Sequence, residues 1–311
     1  MIESVKKGKI SIIGAGFVGS TILYALMLCD VAKEIVLVNR NKNKAISEID
    51  DIRHGFKFVN DTNIRVGSFL DLTDSDVIII AIGRNRKPGE TRLDLAKDNK
   101  NIIYSVLPDI KKNYKNSIII VVTNPIDVIT KIVSEEMNLD YGKVFGTGCI
   151  LDSSRLIRVL ADYLKCGIDD IRAMVIGEHG DGQVVLWSNV LVDKIPINEY
   201  CEDHNILWND NIVSEIEKKV KNMGASIISN KGHTQFGVAT CAADLANAII
   251  NDKKILASVS SPMQGEFGIN DVCLSYPSII GAEGIIERKI IQISDSEKEK
   301  LKKAAENLLK Y

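Results

Sequence analysis

The sequence predicts an α/β fold: an N-terminal doubly wound parallel (Rossmann) sheet followed by a C-terminal α+β domain. Three observations carry this. The first half of the 311-residue chain alternates short Ile/Val-rich runs with amphipathic stretches. A glycine-rich turn follows the first of those runs. The second half abandons the alternation.

The runs Lys9–Ile13, Ile35–Val38, Val77–Ile80 and Ser117–Val122 are nearly continuous in Ile and Val, as strands buried on both faces of a parallel sheet must be. Helical segments lie between them at Lys42–His54 and Thr91–Lys112. Further on, Asp152–Leu164 reads as a helix, with strand-like pieces at Ala173–Ile176 and Val184–Trp187. A long amphipathic helix carries Ile212, Ile216, Val220, Met223 and Ile227 at spacings of three and four. Another helix follows His233 to about Ile250, then strand candidates Ile255–Ser260, Val272–Tyr276 and Ile285–Ile293. Ser294-Asp295-Ser296-Glu297 opens the last helix with a capping-box pattern. With no repeat and no low-complexity linker, the junction near Phe145–Asp152 is expected to be tight. It divides a dinucleotide-binding domain, 1–147, from a substrate and catalytic domain, 148–311.

Composition narrows the function. Lys and Arg number 39 against 41 Asp and Glu, a net charge of −2, which exerts no global pull on nucleic acid or an anionic membrane. Hydrophobic residues at 45% and charged residues at 26% are the mixture of a folded globular chain. No apolar run reaches the roughly 20 residues of a membrane span. The N-terminus lacks a signal-peptide core, so a cytoplasmic location is expected. Cys29, Cys149, Cys166, Cys201, Cys241 and Cys273 are scattered, without zinc-type spacing, and read as reduced thiols rather than a disulfide framework or metal site.

Gly14-Ala15-Gly16-Phe17-Val18-Gly19 lies between the first strand and a helix, the place where a G-x-G-x-x-G binds a dinucleotide. Gly14 permits the turn, Gly16 lets backbone approach a pyrophosphate, and Gly19 lets helix pack on strand. The helix N-terminus then offers N–H groups and a positive dipole end to the phosphates. An acidic residue is expected about 20 positions later, on the ribose 2′-hydroxyl. This chain has Asn39 and then Arg40. Asn39 can bond a ribose hydroxyl without repelling a 2′-phosphate, and Arg40 can pair with one, so NADP is a possible cofactor beside NAD. The alternative leaves Arg40 in solvent and NAD on Asn39.

Oxidation of a secondary alcohol needs a hydride acceptor, a base for the hydroxyl proton and a clamp for the far end of the substrate. His179, in the glycine-flanked turn of Ile176-Gly177-Glu178-His179-Gly180-Asp181-Gly182, is a candidate base that titrates near neutral pH. A buried Asp beside it would fix the imidazole tautomer. Arg155, three residues after Asp152, offers a bidentate fork to a carboxylate. The charged loop Gly83-Arg84-Asn85-Arg86-Lys87-Pro88-Gly89-Glu90-Thr91-Arg92 starts at the carboxyl edge of the sheet. It reads either as a solvated basic loop or as one that closes over substrate.

These blocks, with Thr123-Asn124-Pro125-Ile126-Asp127 and Leu151-Asp152-Ser153-Ser154-Arg155, resemble the L-lactate/malate dehydrogenase family over essentially the whole chain. The wording Lys87-Pro88-Gly89-Glu90-Thr91-Arg92 and Gly177-Glu178-His179-Gly180-Asp181 is nearer the bacterial L-lactate branch. The resemblance implies that His179 exchanges the proton with Asp152 behind it, that Arg155 holds the substrate carboxylate, and that Arg92 polarises the carbonyl as its loop closes. Asn124 would bond the substrate oxygen and Thr234 would line the pocket. The nicotinamide would sit near Val18, Ser105, Thr123 and Thr147. Gly83 and Arg84 would contact the dinucleotide backbone, with Lys44 and Phe69 at further cofactor positions. It also implies a homo-oligomer, dimer or tetramer, acting on a small 2-oxo acid.

Three departures stand out. Asn39 replaces the family's usual Asp. Arg86 stands where lactate-specific members carry Gln, and an Arg there reads a second carboxylate, so malate/oxaloacetate is the runner-up to lactate/pyruvate. Ile157 and Arg172 occupy the positions where fructose 1,6-bisphosphate-activated members place an Arg and a His, so activation by that sugar is expected to be weak or absent. A non-catalytic dinucleotide sensor on the same fold is the rival from another class.

Overall fold

The structure, a computed structural model, describes residues 8–60, 62–84 and 92–311, with Arg92 and Leu93 described as backbone only. In the first half β1 (Lys9–Ile13), α1 (Phe17–Leu28), β2 (Glu34–Val38), α2 (Lys42–Arg53), β3 (Asn63–Gly67), β4 (Val77–Ile80), α3 (Arg92–Asn113), β5 (Ile118–Val121), α4 (Ile126–Met137) and β6 (Val144–Gly146) follow in turn. All neighbours in the order β3-β2-β1-β4-β5-β6 pair in parallel. The order reverses between β1 and β4, and ligands bind outside the carboxyl ends of the strands at such a point. β1, β4 and β5 are buried along their whole length, which is why β4 and β5 show no polar alternation, while the polar Lys9 and Ser11 of β1 are buried with partners at Asp74 and Ser75.

The second half contributes α5 (Ile150–Leu164), β7 (Ile171–Arg172), β8 (Val175–Gly177), β9 (Gln183–Val185), β10 (Leu191–Val192), β11 (Ile195–Pro196), α6 (Ile197–Asp203), α7 (Asp210–Lys231), α8 (Phe236–Ile250), β12 (Ile255–Pro262), β13 (Cys273–Gly281), β14 (Gly284–Arg288) and α9 (Asp295–Leu308). β12, β13, β8 and β9 extend the main sheet in antiparallel fashion from β6, joined through the pair Ser260–Gly146. β11, β10 and β7 form a small separate sheet.

The sheet separates two cores. On one side α1 and the alanine-rich α8 pack together, with Ala239, Ala242, Ala243 and Ala246 buried among Ile10, Ile35 and Phe145. On the other side lie α3, α4 and α9, with Ile103, Ile129 and Leu301. A third core, around Leu156, Leu160, Ile216 and Val220, holds α5 against α7. Both the sheet and the α1–α8 contact therefore run across residue 147, so the two halves share structure at their junction.

Most expected elements occur within a few residues of their sequence boundaries, and three differences have physical reasons. β3 was not expected: Asn-Ile-Arg-Val-Gly is an edge strand, paired only to β2, and its side chains are half-buried and mixed. β6 is too short to show a period. The expected run Ile285–Ile293 ends at Arg288, and Ile290 is almost wholly exposed. The capping box at Ser294 and Glu297 is present, with Ser294 N–H donating to Glu297 Oε2 at 2.7 Å. Glu297 is itself buried and also accepts from Ser188 N–H at 3.0 Å and Ser188 Oγ at 2.6 Å. Burial raises its pKa, and these bonds outweigh that and hold it below the usual range. Among the described residues, no helix is long and apolar enough to cross a membrane.

Candidate active site

The turn after β1 shows what each of its glycines does. Gly14 has φ +117°, and a Cβ there would meet Ala81 O at 2.5 Å. A Cβ on Gly19 would lie 1.8 Å from Gly14 O, so the helix can sit on the turn only without one. A Cβ on Gly16 would meet nothing within 4 Å, so this residue faces open space at the N-cap of α1. This cradle of free backbone at a helix N-terminus fits a dinucleotide pyrophosphate. Val18 is half-buried one residue before Gly19. At the end of β2, Asn39 Oδ1 accepts from Ala15 N–H at 3.1 Å, and its Nδ2 donates to Asn41 O at 2.9 Å. The end of β2 is thereby tied to the turn after β1. Lys44 is exposed in the first turn of α2. Phe69 opens the short 3-10 turn after β3 and packs partly against the core.

The carboxyl ends of β4 and β5 meet around one buried amide. Asn99, on α3 and 1% exposed, accepts from Arg84 N–H at 2.9 Å and donates through Nδ2 to Asn124 O at 2.7 Å. A Cβ on Gly83 would come within 3.1 Å of both Asn99 Oδ1 and Thr123 Cγ2. Thr123 Oγ1 donates to Ile82 O at 2.5 Å. Thr147 N–H donates to Val121 O at 3.0 Å just beyond β6. Arg84, Thr123, Asn124 and Thr147 thus share one edge of the sheet. Ser105, exposed on α3, donates Oγ to Ile102 O at 2.7 Å. Asn99 is silent in the sequence, since an Asn inside a helical period carries no signal of its own.

The reactive cluster comes from α5 and the turn after β8. His179 Nδ1 lies 2.5 Å from Asp152 Oδ2, and Arg155 Nη1 donates to Asp152 Oδ1 at 3.0 Å. The Asp152 side chain is 3% exposed and that of His179 23%. Burial raises the Asp152 pKa, but the charges and hydrogen bonds of His179 and Arg155 outweigh it and hold the carboxyl below its ordinary value. Burial lowers the His179 pKa, but the Asp152 charge and hydrogen bond outweigh it and raise the imidazole above its ordinary value. An ionised carboxylate only accepts, so Nδ1 carries the hydrogen and Nε2 is the ring nitrogen left to exchange a proton. Arg155 reaches towards Gly224 on α7, where a Cβ would lie 3.5 Å from Nη2.

A second carboxylate grips the same turn from the main chain. Asp127, on the first turn of α4 and 3% exposed, accepts from His179 N–H at 2.8 Å and from Ser260 Oγ at 2.6 Å. Burial pushes its pKa up from 3.8 to about 7, against the lowering effect of those two bonds. Nothing in the sequence around Asp127 signals this role, since its partners come from β12 and the turn after β8. Thr234, half-buried, sits beside His233, whose ring stacks on Phe17 of the phosphate turn with centroids 4.1 Å apart. That contact draws the α7–α8 connection onto the cradle.

Arg86 and the rest of the 85–91 loop lie outside the described residues. Arg92 is described only as the backbone that opens α3. The six thiols are free. Cys149 joins Asp152 and His179 in a group whose ligand atoms lie within 4.8 Å of one another. Burial raises the Cys149 thiol well above its ordinary pKa, and the two Asp152 oxygens are engaged by His179 and Arg155. That is poor preparation for a metal.

Residues 8–146 match the family described as lactate/malate dehydrogenase, NAD binding domain, and residues 149–311 match the lactate/malate dehydrogenase, alpha/beta C-terminal domain. The L-lactate dehydrogenase of Thermoanaerobacterium saccharolyticum is 39% identical over 299 residues, covering 96% of each chain. That of Clostridium botulinum is 39% identical over 308 residues, covering 99% of this chain and 97% of its own. Among solved structures, the minor L-lactate dehydrogenase of Enterococcus mundtii superposes with a TM-score of 0.93 at 32% identity, covering 98% of this chain and 97% of its own. A lactate dehydrogenase from a deep-sea metagenome gives the same TM-score of 0.93 at 29% identity, covering 98% of each chain. Both halves are matched by successive domains of one family, and the relatives span nearly the whole length: the chain belongs to the lactate/malate dehydrogenase family of NAD-dependent oxidoreductases.

Proposed function

We propose that this chain catalyses reversible hydride transfer between NAD(H) and a small 2-hydroxy/2-oxo acid, with L-lactate and pyruvate as the favoured pair. The observation that carries the reading is the 2.5 Å contact of His179 with Asp152, with Arg155 on the other oxygen of the same carboxylate. The bound nicotinamide supplies the hydride. His179 Nε2 delivers a proton to the oxygen of the 2-oxo acid in one direction and removes it in the other, and Asp152 stabilises the imidazolium. Arg155 grips the acid's carboxylate through its remaining N–H groups, Asn124 bonds the reacting oxygen, and Thr234 closes the pocket. Arg92 polarises the carbonyl as its loop excludes water. Residues 1–147 hold the dinucleotide, with Gly14, Gly16, Gly19, Gly83 and Arg84 along its backbone, and lend Arg92 and Asn124 to the acid, which Arg155, His179 and Thr234 of 148–311 bind.

The second reading is oxaloacetate and malate, and Arg86 is the feature that favours it. A charged hydrogen-bonded pair there would contribute roughly 10- to 100-fold in discrimination. Steady-state kinetics with pyruvate and oxaloacetate, each with NADH, tests both: a higher kcat/KM for pyruvate is expected, and a strong oxaloacetate preference reverses the order. Turnover of neither acid with intact NADH binding would favour the sensor reading.

The chain is proposed to work in the cytoplasm as a homo-oligomer, dimer or tetramer. Exposed apolar residues Phe17, Tyr24 and Leu28 on α1 support association, and light scattering gives the number of subunits. Weak or absent activation by fructose 1,6-bisphosphate is supported by Ile157, which packs against the third core and cannot bind phosphate.

A further inference from the structure

We propose that the adenosine-ribose end of the dinucleotide cradle accepts a 2′-phosphate, so that the chain uses NADP(H) as well as NAD(H). This inference rests on the dinucleotide reading of the Gly14–Gly19 turn. A site restricted to the unphosphorylated cofactor places a carboxylate at the end of β2, where it accepts from the ribose hydroxyls and repels a phosphate. Here that position is Asn39, and the structure shows how the neutral side chain keeps its place. Oδ1 accepts from Ala15 N–H at 3.1 Å and one Nδ2 hydrogen goes to Asn41 O at 2.9 Å. An amide has two such hydrogens, so the second remains as a donor, where a carboxylate could only accept.

The surroundings match a dianion. Arg40 follows directly, is exposed, and makes no ion pair or side-chain hydrogen bond with the described residues. Lys42 and Lys44 are exposed in the first turn of α2, which contains no acidic residue. From Ile35 to Ser47 the sequence has no carboxylate at all. Asn41 caps α2 by accepting from Lys44 N–H at 3.2 Å, which fixes the turn that carries Arg40. A guanidinium adjoining a phosphate forms the strong, fork-shaped pair that a lone lysine does not.

The test uses the whole protein and binding rather than turnover alone. Calorimetric titration with 2′,5′-ADP and with 5′-AMP, fragments that differ by the 2′-phosphate, is expected to favour 2′,5′-ADP by about tenfold or more, less at high salt. NADPH and NADH titrations are run beside it. N39D is expected to invert the fragment preference, and R40L to reduce it several-fold. NADH and 5′-AMP binding with rejection of 2′,5′-ADP and NADPH would overturn the inference and leave the dinucleotide reading standing. Binding of none of the four would overturn both. The wild-type fragment ratio needs no variant to fold.

Discussion

The Asp127 carboxylate accepts the backbone N–H of His179 at 2.8 Å, so a residue on the first turn of α4 holds the main chain of a turn 52 positions away. Its other oxygen, bonded to Ser260 Oγ, ties the same point to β12. The imidazole is therefore steadied twice: by Asp152 at the ring and by Asp127 at the backbone.

Replacing Asp127 by Asn keeps one acceptor and removes the charge. We expect D127N to lower kcat by about tenfold, the size of a lost buried hydrogen bond, with a smaller change in NADH affinity. Single-turnover kinetics and NADH titration measure the two separately. Equal losses in both would mean a general structural defect.

The same carboxyl predicts a stability profile. Its pKa rises from 3.8 to about 7 on folding because burial favours the neutral form. The folded state thus holds a proton that the unfolded chain releases earlier. The resulting stabilisation is complete below the unfolded pKa and is lost as pH rises through about 7. Thermal melts of the wild type and D127N between pH 5 and 8 are expected to show a shallower fall for the variant.

With His179 in the proposed role of proton donor, its raised pKa would set the pH dependence of catalysis. Reduction of a 2-oxo acid needs the imidazolium, so its kcat/KM should fall as pH rises through a value above the ordinary 6.5. D152N leaves a hydrogen-bond acceptor but removes the stabilising charge, so the descending limb should move to lower pH and the maximal rate should drop. A limb that stays in place would detach this titration from the Asp152 pair.

At Arg155, lysine keeps the charge and loses the fork. R155K is expected to raise the KM for pyruvate by roughly 10- to 100-fold while NADH binding holds. A change confined to kcat would move Arg155 from gripping the acid to supporting Asp152, to which Nη1 also donates at 3.0 Å.

Asn99 is the joint between Arg84 and Asn124. N99A should cost about 1–3 kcal/mol of stability by leaving buried backbone groups unpaired. It should also weaken NADH and pyruvate binding together, since both loops depend on the one amide. Melting temperature and the two affinities provide the check, and selective loss of only one ligand would show that the loops are held independently.

What the sequence determined by itself is local. The phosphate turn was legible because Gly14, Gly16 and Gly19 act within one strand–turn–helix unit, and the Ser294–Glu297 cap because both its bonds span three residues. The buried strands showed as unbroken Ile/Val runs, since burial on both faces removes polar alternation. Asn39 and Arg40 were visible as a departure from a pattern, but the amide's bond to Ala15 was not. Tertiary structure alone decided that Asp127 and Ser260 hold the His179 turn and that Asn99 spans two loops, while the meeting of Asp152 with His179 across 27 residues was implied by the family resemblance and by no local pattern. It also decided that β6 hands the sheet on to β12. A carboxylate or amide placed by distant strands carries no periodicity in its own neighbourhood: its partner is chosen by the need to satisfy a buried polar group, and only the folded chain says which group is within reach.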